Sequence, residues 1–267
     1  MNTMLGTGSE SLNTIISVPP KAVEKAKEFA SKQIEPYGKD YGVDIREFQS
    51  DVRTIQRVYL DVLLGKLGEM AVAYLMGNTF GHYVKLDLER RYGGDLGDLL
   101  HYDGSTPPIK VDVKTVPFGH KWLLVPVRLL SSDWYIAVQC LMKSNEIENA
   151  KGDIKFQVYS PIRRNALAVR DDKGKPWFLF HFPVGSYLLE TVALMMIPEV
   201  YRKPIHIDEV RLVFEKQSKP ISDKPVRGES AGIPLNWLSK DNTQQWEEFI
   251  REFYPNPPEY GKQQRQG

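Results

Sequence analysis

The chain has a single cysteine, Cys140, in 267 residues. That excludes a disulfide framework and is compatible with a reducing, cytoplasmic setting. Cys140 stands in the apolar run Trp134-Tyr-Ile-Ala-Val-Gln-Cys-Leu-Met142, so it is expected in the core of a strand rather than as a nucleophile. An excess of one charge is missing too. Lys and Arg number 35 against 34 Asp and Glu, a net charge of +1, which is not the basic surplus of a nonspecific nucleic-acid binder. Any binding groove must therefore come from local clustering. No apolar run approaches the ~18 residues of a membrane span, and the polar residues 1–10 do not read as a signal peptide. The five histidines (82, 101, 120, 181, 206) are scattered, with no His-x-x-x-His and no Cys pair, so a zinc site has no support. A Walker-type phosphate loop and a Gly-x-Ser-x-Gly elbow are also absent.

What is present is a set of acids around one lysine. The segment Ile109-Lys-Val-Asp112-Val-Lys114-Thr-Val116 is rich in β-branched residues and reads as a strand. Alternation places Asp112 and Lys114 on one face, with Val111 and Val113 on the other. Just upstream, Asp98 begins the extended run Asp98-Leu-Leu-His-Tyr102. The turn-like Gly104-Ser-Thr-Pro-Pro108 leads from there to the second strand, so the two strands are expected as a hairpin that brings Asp98 near Asp112. Glu69 lies in a helix expected over residues 60–77, at the edge of the stripe Leu63, Leu67, Met70, Ala71 and Tyr74. Two glycines in this helix, Gly65 and Gly68, cost about 1 kcal/mol each relative to Ala. They are explained if the helix must approach a sheet closely. The same Asp-x-Lys spacing recurs at Asp153-Ile-Lys155 and Asp171-Asp-Lys173, where the settings read as solvent-facing. Only Asp112 has an acid-bearing strand and a Gly-x-x-Gly-Glu helix before it.

The rest of the chain frames this cluster. Pro19-Pro20 opens a helix over residues 21–34 with Val23, Ala26, Ala30 and Ile34 on one face, stopped at Pro36. Another helix is expected to start near Asp44, with Arg46, Arg53 and Arg57 on its polar side. Beyond residue 142 the chain turns β-rich, with extended candidates at 156–160, 176–181 and 206–214 and an apolar, more helical run at 187–197. Residues 216–232, with Lys219, Lys224 and Arg227, read as a long loop whose basic residues are candidates for nucleic-acid contact. Residues 242–253 form an amphipathic helix carrying Trp246, Phe249 and Ile250, and a disordered tail is expected from 255. The expected organisation is a helical N-terminal region and a core bearing the acidic cluster over 1–145, and a C-terminal extension over 146–267 for recognition or dimerisation.

Glu69 in Gly-Lys-Leu-Gly-Glu, the Asp95-Leu-Gly-Asp98 segment and Val-Asp112-Val-Lys114-Thr together resemble the PD-(D/E)XK nuclease superfamily over about residues 60–142. Gly97 stands where that motif often has proline. The resemblance implies an α/β, restriction-endonuclease-like fold, a mixed sheet flanked by helices. It implies Mg²⁺, replaceable by Mn²⁺, held by Asp98, Asp112 and the backbone carbonyl of Val113. Lys114 would steady the attacking water, and Glu69 would orient that water or help hold a second ion. Asp95 is the alternative first acid, or a further metal ligand. The implied activity is metal-dependent hydrolysis of phosphodiesters in DNA, double-stranded in a sequence-specific restriction-type setting, by a chain that could act as a homodimer and has no membrane partner. The alternatives are a repair or recombination nuclease, an RNA-cleaving enzyme, or a catalytically weak nucleic-acid-binding module on the same fold.

Overall fold

The computed structural model describes residues 12–39, 55–86, 98–170, 176–178, 180–182 and 230–255. Apolar periodicity accounts for its first layer. Helix α1 (Pro20–Lys39) presents the buried Ala22, Val23, Ala26 and Ala30 on one stripe. It runs to Lys39, past the stop expected at Pro36; a proline removes one backbone hydrogen bond and can bend a helix without ending it. Helix α2 (Ile55–Phe80) is longer than expected at both ends and buries Leu63, Leu67, Ala71, Leu75 and Met76. Its stop is Gly81, whose φ of 69° suits glycine, and not Gly77. Gly77 serves packing instead, since a Cβ there would lie 3.0 Å from the ring of Tyr83.

Beneath the helices lies a five-stranded mixed sheet. Strands β1 (Ile15–Val18), β4 (Val111–Val116), β6 (Trp134–Cys140) and β7 (Ile154–Val158) are ordered β1-β7-β6-β4, and the short β8 (Ile162–Arg163) also pairs with β6. β4 and β6 run parallel, with Asp112 opposite Tyr135 and Lys114 opposite Ala137. The crossover between them passes through β5 (Trp122–Pro126), in a second sheet with β12 (Ser230–Pro234) and β11 (Phe180–Phe182). Two further pairs are β2 (Val84–Leu86) with β3 (Leu99–His101), and β9 (Ala168–Arg170) with β10 (Pro176–Phe178). The fold is thus mixed α/β.

Two cores divide the faces of the main sheet. Val111, Val113, Trp134, Ile136 and Val138 pack with α1, α2 and the helix Thr243–Phe253. On the opposite face, Val116, Tyr135 and Ala137 meet Leu123, Val125, Ala231 and Ile233 of the second sheet. The Thr243–Phe253 helix is capped by Asn242, whose side chain accepts from the Gln245 N–H at 3.1 Å. It buries Trp246, Phe249 and Phe253. Cys140 is buried in the first core, as its apolar setting implied.

Several expectations are corrected here. β3 pairs with β2, not in a hairpin with β4. Residues on both sides of position 145 share the main sheet, because β7 pairs with β1 and β6. Ser230, Ala231 and Gly232, expected at the end of a loop, form the start of β12. Their intrinsic strand preference is weak, but pairing with two neighbours and small size suit a central strand buried between layers. The helix start near Asp44 with Arg46 and Arg53, the segments 187–197 and 206–214, the loop before residue 230, Asp171-Asp-Lys173 and the tail after 255 lie outside the described residues.

The approach of α2 to the sheet turns on one atom. A Cβ built on Gly68 would stand 1.9 Å from Thr115 Oγ1 and 3.0 Å from Thr115 Cβ, whereas one on Gly65 meets nothing within 4 Å. Rotating Thr115 moves its hydroxyl away, but its Cβ stays at 3.0 Å, so helix and strand would still have to part slightly. Gly68→Ala therefore lowers stability, since overpacking of about 1–3 kcal/mol outweighs the ~1 kcal/mol gained in helix propensity. Gly65→Ala gains the propensity and pays no such clash. Chemical denaturation of the two variants should move in opposite directions; two midpoints shifting together would contradict the contact.

Candidate functional site

β4 is the edge of the main sheet, and its outer edge holds Asp98. The Asp98 N–H donates to the Val111 carbonyl at 3.0 Å, and the Val113 N–H donates to Asp98 Oδ2 at 2.6 Å. In a strand the N–H and C=O of one residue point to the same side, so the Val113 carbonyl also faces this edge. The predicted nearness of Asp98 to the Asp112 strand is therefore real. It arises from strand-edge hydrogen bonds and not from a two-stranded hairpin.

Alternation does the rest. Val111 and Val113 enter the helix-side core, and Asp112 and Lys114 leave on the other face, their charged groups 2.8 Å apart. Asp112 is nearly buried, beside the buried Tyr135 opposite it on β6. From the helix side, Thr115 faces α2 and donates to the Gly65 carbonyl at 3.4 Å. Glu69 follows Gly68 on that helix, so the close contact at Gly68 brings it down towards Asp98. Glu69 is buried rather than at the core's edge.

The sequence reading missed Lys66. Its ammonium sits 2.5 Å from Glu69 Oε2, both side chains are buried, and the ring of Phe29 lies 4.6 Å away. The signal was available: Lys66 and Glu69 are three apart on a helix and so share a face. Each of two acids thus has its own lysine, Glu69 with Lys66 and Asp112 with Lys114.

Asp98 is treated differently. Burial pushes its carboxyl well above the usual aspartate range, and the negative charges of Glu69 and Asp112 add to that. The Val113 N–H and Lys114 pull the other way without prevailing. Three carboxyls thus share two lysines, and Asp98 holds its proton to higher pH than an ordinary aspartate. Its donors are two aspartate carboxylates, a glutamate and a backbone carbonyl, the hard oxygen set that suits Mg²⁺. Among the described residues, no three His, Cys, Asp or Glu side chains stand together as a formed metal cluster, which agrees with two of the acids being drawn to lysines. The donor types fit a hard divalent cation. The side-chain positions are those of a site closed on its own cations.

The other candidates separate from this centre. His101 is a packing residue: Nε2 lies 2.7 Å from the Phe253 carbonyl, Nδ1 lies 3.0 Å from Ser105 Oγ, and the ring stacks on Tyr254. Gln139 holds the loop after β4, donating to the His120 carbonyl at 2.9 Å and accepting from the Tyr159 hydroxyl at 3.1 Å. Arg57 pairs with Asp61 one turn on, at 3.2 Å. Asp153 and Lys155 are both exposed, in keeping with a solvent-facing pair. Asp95, Lys219, Lys224 and Arg227 lie outside the described residues. Among the described residues no helix is long and apolar enough to cross a membrane.

No protein-family model, curated protein or solved structure matches this chain.

The raised Asp98 carboxyl makes stability pH-dependent. The folded form holds that proton more tightly than the unfolded chain, so its contribution is fully present below about pH 4 and is lost as pH rises through the higher folded value. Asp98→Asn keeps an acceptor for the Val113 N–H and removes the titration. In EDTA the variant should match the parent in melting temperature at acid pH and exceed it increasingly towards neutrality. A constant difference across the range would exclude the raised Asp98 carboxyl.

Proposed function

We propose that the protein is a metal-dependent nuclease of the restriction-endonuclease-like fold that hydrolyses phosphodiester bonds in DNA. The single observation that supports this is Asp98 held at the edge of β4, beside the Asp112–Lys114 pair on that strand and near enough to Glu69 for its charge to raise the Asp98 carboxyl. Structural ion pairs need one acid for each base. A buried acid left to repel two others makes sense where a further cation is to be bound.

In this reading Asp98, Asp112 and the Val113 carbonyl hold Mg²⁺, which would polarise the phosphate and favour ionisation of the attacking water. The order of elements supports the fold assignment: a helix bearing Glu69, a strand led by Asp98, the Asp-x-Lys strand, then a parallel neighbour. Lys114, beside Asp112, would steady the nucleophile and offset charge on the phosphate. Lys66 gives the buried Glu69 carboxylate an opposite charge, without which its burial would be costly. It thereby fixes the direction in which Glu69 can accept a hydrogen bond from water. Glu69 and Lys114 approach from opposite faces of β4, one to orient the water and one to steady it.

A second reading is favoured by one observation. Both flanking acids are closed on lysines, as in a nucleic-acid-binding module whose chemistry is quiescent. The two differ in their response to metal, because a cation that binds only the folded state raises its stability.

Plasmid DNA with the protein and Mg²⁺ should be cut or nicked, and EDTA should abolish this. Lys114→Ala should slow cleavage by ~10²-fold or more while DNA binding persists in a gel-shift assay. Mg²⁺ should raise the melting temperature of the parent more than that of Asp98→Ala. Cleavage unaffected by chelation, or full activity without the lysine, would remove this mechanism; a parent that melts identically with and without Mg²⁺ would favour the quiescent module.

A further inference from the structure

Beside the candidate centre lies a cleft of about 960 Å³, between the start of α1, the middle of α2 and the β2–β3 pair. Its rim carries Lys21, Lys25 and Lys85, and no acid lines it. All three lysines are exposed, and among the described residues no carboxylate forms an ion pair with any of them. Lys21 is the second residue of α1, where the helix dipole favours acids, yet that first turn contains none. Lys25 follows one turn later on the same face. Lys21 and Lys25 therefore stand together near the helix start with no acid in that turn to offset them, a charge pattern complementary to an anion.

The remaining lining is apolar and aromatic. Tyr74 of α2 and Tyr102 just after β3 face the cleft, and the exposed Tyr83 meets Tyr102 edge-on with ring centres 6.4 Å apart. The cleft wall also includes residues close in sequence to two of the acids, Met70 next to Glu69 among them. Ala73 in its wall is four residues after Glu69, one helical turn or about 5.4 Å along the same face. Leu100 in its wall is two residues after Asp98, which stands at the bend leading into β3. Two of the three chain segments that bear these carboxylates thus also contribute residues to the cleft wall, while β4 with Asp112 does not.

We infer that this cleft binds a single-stranded segment of the nucleic-acid substrate, phosphates on the three lysines and unstacked bases against the tyrosines and apolar floor, and leads it to Glu69 and Asp98. The inference rests on the proposed nuclease function for what happens at its end, but not for the binding. A duplex offers its phosphates and keeps its bases stacked inside, so it uses the lysines and leaves the aromatic wall without a partner. A flexible single strand satisfies both. This narrows the substrate from duplex DNA to nucleic acid with an unpaired stretch beside the cleavage point.

The test uses the full chain in EDTA, so that binding is read without cutting. Fluorescence anisotropy with a labelled oligothymidylate, over a series of salt concentrations, should show tighter binding than to a duplex of equal length. Combined Lys21→Ala, Lys25→Ala and Lys85→Ala should weaken it at least tenfold and flatten the slope of log K against log salt by about 2, from ~0.7 per phosphate contact. Replacing the same three residues by arginine should restore both. The lysines are exposed, and an unchanged melting curve checks that the alanine variant is folded. Unchanged affinity and slope, tighter binding of duplex, or equal binding of polyglutamate would overturn the inference, the last in favour of an acidic peptide. Mg²⁺-dependent cleavage by a protein whose single-strand binding ignores the lysines would discard the cleft and keep the nuclease. Lysine-dependent binding with no cleavage would do the reverse.

Discussion

The contact between Gly68 and Thr115 sets the distance between helix and sheet, and with it the electrostatics of the whole centre. With no side chain at position 68, α2 settles onto β4 until Thr115 reaches the Gly65 carbonyl. The next residue, Glu69, is thereby buried near Asp98, where its charge helps to raise that carboxyl. Were the helix to stand off by the width of a methyl group, the acids would be separated by solvent. Their mutual repulsion would then be screened, and little would distinguish them from ordinary surface groups.

Closeness of that kind is unfavourable in itself, and the surroundings answer it unevenly. Lys66 offsets Glu69 from within the helix, further held by the ring of Phe29. Lys114 offsets Asp112 from within the strand. Asp98 receives a backbone N–H and a lesser pull from Lys114, which do not offset its burial and the two neighbouring acids, so its carboxyl stays raised. Rigid packing preserves the imbalance: Val111 and Val113 are locked into the core, and the edge of β4 can offer its hydrogen bonds only outward. The cleft that adjoins the centre shows the opposite imbalance, cations without acids. A chain with a net charge of +1 has thus sorted its charges into neighbouring regions of opposite surplus.

Much of this was legible in advance. Strand alternation put Asp112 and Lys114 on one face because a period of two admits no other arrangement for an apolar strand with Val111 and Val113 in the core. The glycines of α2 implied a close approach, although only Gly68 makes it. The aromatic stripe of the last described helix was readable because its burial follows from spacing alone. Other features were not legible. β3 chose β2 as its partner, and β12 formed from residues with weak strand preference, because pairing depends on which strands other segments leave unpaired. Lys66 was overlooked because a Lys three residues before a Glu on a helix is usually a solvated pair. Burial, a property of the packed whole, is what makes it matter.

From sequence alone come the alternation, the helical stripes and the kinds of side chain available at the centre, since these depend on bond geometry and spacing between near neighbours. Which strand edge receives Asp98, how far Glu69 descends, and which acid is left without its own cation were decided by tertiary structure. Those outcomes depend on contacts between segments far apart in the chain and on how thoroughly packing excludes water around each charge.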